Sequence, residues 1–233
     1  MAPGGVGIHA SRVPFGAMAS GGAMEPTIPL APVREFADRP ELDAAAELLA
    51  AAPIDAIAFG FTSSAYVIGR EGERAMLSRL AERTRGIPVV ATCEATIDAL
   101  HTLGANRIAL VLPPWFDLEL SDLGRRFYES AAFDVLSAAP CPLPSDQSRI
   151  TPAALHEQVA AWVPDDAEAI VIGGNGFRAV GAIEALERDL GRPVLTANQA
   201  LFWAALQAAP KPAPLVSGYG RLWEEGSGVR DPR

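Results

Sequence analysis

Cys93 and Glu94 are adjacent where an apolar strand-like run, 89–92, gives way to a helical stretch, a place where a thiol can become a nucleophile. A helix N-terminus favours negative charge, so a cysteine there can have a lowered pKa and a neighbouring carboxylate can act as a general base. Each residue also has a structural reading. Cys93 could be a small buried hydrophobe in a strand-to-helix turn, and Glu94 a partner of the helix dipole. His9 could serve as an acid or base if the long loop after it folds back, or it could be a partly buried core residue of a short strand. Arg12 and Arg178 could pair with a ligand carboxylate, or form surface or interdomain salt bridges. His101, His156 and Cys141 lie away from these positions and take no role. The two cysteines have no CxxC spacing, so reduced thiols are expected in preference to a disulfide framework, and no metal site is expected.

A second group of residues is singled out by repetition. Asp55-Ala-Ile-Ala-Phe-Gly-Phe-Thr-Ser63 reappears as Glu168-Ala-Ile-Val-Ile-Gly-Gly-Asn-Gly176, and Pro88-Val-Val-Ala-Thr-Cys-Glu-Ala95 as Pro193-Val-Leu-Thr-Ala-Asn-Gln-Ala200. In both copies an acidic residue leads an apolar run that stops at a loop of small polar residues. A helical stretch then leads to a Pro-Val strand. Such self-similarity predicts two copies of one strand–loop–helix–strand unit facing each other across a pseudo-dyad, with a ligand site between the loops. The repeat pairs Phe61 with Gly174, and neither can give or take a proton.

The elements that must position these loops alternate in type. Strand-like runs are expected at 7–13, 56–60, 89–92, 107–112, 133–137, 169–172 and 194–197. Helices are expected at 41–51, 71–85, 94–103, 116–130, 152–162, 179–190 and 199–207. Residues 14–40, rich in Gly, Pro and Ala, read as a long loop able to cover something, and 140–148 as a Pro-rich loop. Short apolar strands alternating with longer helices imply parallel sheets covered on both faces, an α/β class. In such folds ligands sit beyond the carboxyl ends of the strands, where Thr62, Ser63, Cys93, Trp115 and Asn175 fall, so a shared pocket is expected.

Composition excludes several classes of partner. The chain has 233 residues, 49% of them hydrophobic, enough to bury a substantial core as two small domains or one large one. Its net charge is −9 and Lys211 is the only lysine, so there is no basic stripe for nucleic acid. No apolar run has membrane-spanning length and the start carries no signal-peptide pattern, so a cytoplasmic location is the default and no membrane partner is expected. A homo-oligomer is allowed.

The motifs carry a family resemblance. Phe61-Thr-Ser-Ser-Ala-Tyr-Val-Ile-Gly69 resembles the first catalytic loop of the maleate cis-trans isomerase and arylmalonate decarboxylase branch of the aspartate/glutamate racemase superfamily. Gly173-Gly-Asn-Gly-Phe-Arg178, 193–203 and Gly218-Tyr-Gly-Arg-Leu222 resemble its second loop, last strand–helix and C-terminal signature. The similarity covers nearly the whole chain in order. It implies two pseudo-symmetric parallel-sheet domains with an interdomain cleft, no metal and no organic cofactor, and small carboxylates or dicarboxylates as ligands. Residues 1–104, joined by 198–233, would form one half-domain and 105–197 the other. The resemblance further implies that Thr62 and Ser63 cradle a carboxylate through backbone N–H groups and a hydroxyl. Asn175 and Gly176 could do the same from the second loop. Trp115 falls where the family places a substrate-contacting tyrosine, and could present an aromatic wall.

Two departures qualify this. Isomerases and racemases of the branch place a cysteine at the head of each loop and decarboxylases keep one, at the second, whereas here Phe61 and Gly174 stand there. Family members also open with a central strand ahead of the segment resembling Val6-Gly-Ile-His-Ala-Ser-Arg12, so a first strand missing from the chain start is expected. Two functions remain. One is an isomerase or decarboxylase whose proton-handling group has moved to Cys93, Glu94 or His9, which the family favours. The other is a degenerate member that binds a small carboxylate without turnover.

Overall fold

Apolar runs that end at small polar residues form parallel strands, and each strand-to-helix junction turns the chain back across a sheet. The computed structural model describes residues 1–15, 27–38, 40–210 and 216–225. Strand β1 (Ile57–Phe59) pairs in parallel with β2 (Val89–Ala91). Strands β3 (Arg107–Leu112), β4 (Asp134–Pro140), β5 (Ala169–Ile172) and β6 (Val194–Thr196) form a second parallel sheet in the order β4-β3-β5-β6. The class is α/β with parallel sheets, as the alternation of runs predicts. Ile108 to Leu112 and all of β5 are buried on both faces, which explains why these strands are continuously apolar and do not alternate.

The second sheet reverses direction once. From β3 the chain winds through α5 (Leu118–Glu129) to β4, then returns through α6 (Pro152–Trp162) to β5 and through α7 (Ile183–Leu190) to β6. The switch point therefore lies between β3 and β5, and the loops leaving their carboxyl ends splay apart into a crevice. In the other half, β1 and β2 are joined by α3 (Thr62–Arg83), and β2 leads into α4 (Thr92–Thr102). Helix α8 (Ala197–Ala208), which follows β6, packs against α4 and also contacts β1 and β2. A short C-terminal helix, α9 (Arg221–Glu225), is held by Glu187, whose carboxylate accepts the N–H groups of Arg221 and Val194.

Several expectations are corrected. Residues 7–13 form no strand and His9 is exposed, so it is not a core residue. The segment has Gly7 and, among the described residues, no paired strand, and a lone extended run does not make a strand. The stretch 14–40 is not all loop: α1 (Leu30–Phe36) lies within it, with Val33 buried and the helix packed against α3, while 16–26 lie outside the described residues. Helix α2 (Glu41–Ala50) falls where expected. Helix α3 starts at Thr62, nine residues earlier than the sequence suggests, and is interrupted at Gly69, whose φ is 71°. Its first segment, rich in Ser, Thr and β-branched residues, is a poor helix former. Tertiary packing overrides that preference by burying Ala65 and Tyr66, and Tyr66 lies so close to α5 that a Cβ at Gly124 would come within 2.7 Å of its ring.

The N-terminus of α4 shows how the first half is tied together. Ala91 precedes the helix and offers no side-chain cap. Glu73 of α3, 1% exposed, lies beside the backbone N–H groups of Cys93 and Glu94, and its Oε2 is buried without a hydrogen-bond partner. Burial, followed by repulsion from Glu94, pushes the Glu73 carboxyl up to about 8. Among the described residues no helix is long and apolar enough to cross a membrane.

The raised Glu73 value makes stability depend on pH. The folded protein binds this proton more tightly than the unfolded chain, so the linked stabilisation is complete below the unfolded value of 4.5 and is lost as pH rises through about 8. The slope in that window is at most about 1.4 kcal/mol per pH unit. Urea unfolding should therefore show falling stability across it, and Glu73→Gln, which removes the titrating group at nearly the same size, should flatten the curve. Equal pH dependence in the two proteins would exclude Glu73 as the group responsible.

Candidate active site in the cleft between the two sheets

The crevice at the switch point opens into a cavity of about 730 Å³. Its floor is formed by the two repeated loops: Phe61, Thr62 and Ser63 on one side, Gly174, Asn175 and Gly176 on the other. Trp115 and Phe116, from the loop after β3, and Gln147, from a single 3₁₀ turn, wall the second half, and Arg12 stands exposed at the rim. Phe61 packs against Phe36 at 4.2 Å and Phe15 at 5.0 Å between ring centroids, so one wall is a three-ring aromatic cluster. Trp115 meets Phe177 edge-on at 5.9 Å, which fixes the opposite wall.

The loops are joined by a polar node centred on Asn175. Its side-chain oxygen accepts from the Thr62 backbone N–H at 3.0 Å and from the Thr62 hydroxyl at 2.8 Å. Its side-chain nitrogen donates to the Thr92 hydroxyl at 3.1 Å and to the Asn198 side-chain oxygen at 3.0 Å. Asn198 in turn donates to the Asn175 backbone carbonyl at 2.9 Å, and the Thr62 hydroxyl accepts the Gly174 N–H at 3.2 Å. Partly buried amides and hydroxyls bonded in this way are expensive to separate, because each would leave an unpaired group behind.

The two loop heads differ in what they could hold. Phe61 is engaged in the aromatic cluster. Gly174 has φ of +86°, and a Cβ built there would lie 2.2 Å from Cγ of Pro113. Both the backbone conformation and the proline ring close that position to any side chain.

Cys93 and Glu94 are not among the residues that line the cavity. Cys93 is fully buried behind the floor, its sulfur 3.6 Å from the Thr62 carbonyl. Burial, reinforced by the neighbouring Glu73, pushes its thiol well above the usual value, opposite to the lowering expected for a thiolate at a helix N-terminus. Glu94 forms ion pairs with Arg70 at 2.9 Å and Arg74 at 3.4 Å. His9 lines a separate cavity of about 610 Å³ beside β1. Arg178 reaches the Ser148 carbonyl at 3.5 Å and does not line the cleft. Cys141 is a buried free thiol pushed up to about 11 by desolvation, His101 stacks on Phe133, and His156 lies 2.8 Å from Asp189. Among the described residues no group of three or more His, Cys, Asp or Glu could hold a metal ion.

Sequence reasoning missed Thr92, Asn198, Pro113 and Gln147. Thr92 and Asn198 lie within the second repeated segment and follow strand ends, a usable signal. Pro113 was visible only as the end of β3, and nothing in the sequence marks Gln147.

Comparison with known proteins follows the same elements. The family model for arylmalonate decarboxylase matches residues 34–223. A maleate isomerase of Pseudomonas putida is 26% identical over 189 residues, covering 78% of this chain and 74% of that protein. An arylmalonate decarboxylase of Bordetella bronchiseptica is 28% identical over 171 residues, 70% of this chain and 69% of that one. Among solved structures, a Nocardia farcinica maleate cis-trans isomerase variant with a covalently bound succinylcysteine intermediate superposes with a TM-score of 0.76 at 22% identity, covering 92% of this chain and 84% of that one. At that identity the likeness is one of fold. The family match runs through all six strands and all four junctions that meet at Asn175, and the chain belongs to the arylmalonate decarboxylase family.

Proposed function

We propose that the cleft is a site for a small carboxylate or dicarboxylate, as in the maleate isomerases and arylmalonate decarboxylases that the chain resembles, and that it holds this ligand without thiol-based turnover. The observation that carries the second half is the closure of Gly174 by Pro113. The resemblance assigns a cysteine to that position, and the Nocardia farcinica relative is captured with a succinyl group on a cysteine. Here a glycine at positive φ faces a proline ring at 2.2 Å from the built Cβ, and Phe61 occupies the other cysteine position within a ring cluster.

Ligand binding is supported by Thr62, Ser63 and Gly176 on the floor, Trp115 on the wall and Arg12 at the rim. Donors at the start of a helix suit an anion, and an aromatic wall suits an apolar carbon frame. No metal or organic cofactor enters this reading. The competing reading, an isomerase or decarboxylase using Cys93 with Glu94 as base, requires a thiolate with access to the cleft. The buried sulfur behind Thr62 disfavours it.

Three outcomes are expected. The purified protein should bind maleate or an arylmalonate by calorimetry and show no isomerisation or decarboxylation by proton NMR, since a matched acid–base group contributes about 10²–10⁴-fold. Brisk turnover of either compound would refute the non-catalytic reading. Iodoacetamide near neutral pH should label Cys93 and Cys141 slowly, with no change on adding dicarboxylate, whereas fast, ligand-protected labelling of Cys93 would restore the relocated nucleophile. Finally, Gly174→Ala should cost about 2–4 kcal/mol in urea unfolding, through strain at positive φ and overpacking against Pro113. A change below about 0.5 kcal/mol would show that the position is open.

A further inference from the structure

The Thr62 backbone N–H and hydroxyl converge on one oxygen, at 3.0 and 2.8 Å. Two donors aimed at a single acceptor next to the start of a helix make the kind of subsite that a carboxylate oxygen fills. In this protein the acceptor is already present, because the side-chain oxygen of Asn175 occupies it. The Asn175 amide nitrogen donates to Thr92 and Asn198, at 3.1 and 3.0 Å, and the Thr92 hydroxyl also lies within donating distance of the amide oxygen, at 3.2 Å, so the amide is held at both ends.

We propose that Asn175 is an internal occupant of the Thr62 donor pair, so that it sets the affinity of the cleft for carboxylates by competing with them and not by contacting them. The inference rests on the carboxylate reading of the cleft given above, and it reverses the direction in which Asn175 acts. A ligand that uses Thr62 must displace the amide oxygen, and the charge-assisted bonds it gains are offset by those the asparagine loses. The amide cannot leave alone. Its nitrogen must also part from Thr92 or Asn198, because one rigid planar group spans both sides of the node. Its backbone carbonyl stays tied to Asn198 at 2.9 Å, so displacement is a side-chain rotation within a fixed loop. Removing the side chain beyond Cβ would leave the Thr62 pair free to bind a carboxylate directly.

The test is calorimetric titration of maleate and of an arylmalonate into the full chain, as wild type, as Asn175→Ala and as Asn175→Ser, with melting curves to establish that each is folded. Freeing two donors, at the usual net value of a hydrogen bond, corresponds to about tenfold tighter binding or more in Asn175→Ala. Asn175→Ser, too short to reach the Thr62 pair, should show a gain of the same sign and serves if the alanine variant fails to fold. In the wild type, the side-chain NH₂ resonances of Asn175 should shift on saturation as the amide leaves its partners, a change that a merely structural asparagine would not show. Weaker or equal binding in both folded variants would overturn the inference while leaving the cleft a carboxylate site. Failure of wild type and variants alike to bind either compound would overturn the carboxylate reading and the inference with it.

Discussion

Four side chains, Thr62, Thr92, Asn175 and Asn198, share one polar node, and each arrives from a different strand-to-helix junction, those following β1, β2, β5 and β6. The two sheets do not pair with each other, so this node is where their carboxyl ends are brought into register. Each residue in it is a donor or acceptor that would be unsatisfied if its partner moved, which holds the cleft floor in one arrangement as long as no ligand competes for those bonds. The walls add to this constraint. Phe61 leans on Phe36 and Phe15, and Trp115 leans on Phe177, so the space above the node is shaped by rings whose positions depend on the floor beneath them.

The same packing decides where chemistry can be placed. Gly174 leaves β5 at positive φ and passes Pro113, the residue that follows β3, so closely that only a hydrogen fits between them. This contact follows from the switch point: β3 and β5 are neighbours, and their loops begin side by side before they diverge. A thiol at that position would need a different course for one of the two loops. The cysteine that the chain does have near the cleft lies one layer deeper, against the Thr62 carbonyl, beneath the floor.

Below that floor Tyr66, Glu73 and Cys93 of the first half meet Tyr128 of α5 in a second buried group of ionisable side chains, all pushed towards their neutral forms by desolvation. Glu73 is the one that bears on α4, because it lies beside the helix N-terminus that Ala91 leaves without a side-chain cap. A charged carboxylate and a charged thiolate could not coexist there at low cost. The raised Glu73 carboxyl and the inertness of Cys93 are therefore two results of one buried arrangement.

Much of the scaffold was legible in the chain itself. The alternation of apolar runs with helical stretches located β1 to β6 to within a few residues, because periodicity and turn residues are local properties. The internal repeat selected Phe61, Thr62, Gly174 and Asn175, and these residues line one cavity. What local pattern does not encode is which long-range partner a group meets. Helix α3 begins at Thr62, against its own propensity, because Tyr66 has α5 to pack on. The Glu73 carboxyl and the Cys93 thiol are 20 positions apart in sequence, yet folding buries them near each other, and burial and the carboxyl each raise the cost of ionising the thiol there. Thr62 and Asn175, 113 positions apart, each read as a candidate ligand donor, and folding turned them toward each other. Residue types and strand ends were set by the sequence alone. Burial, the direction of each donor and the room at each glycine were decided only by tertiary structure, since they depend on atoms brought together from opposite ends of the chain.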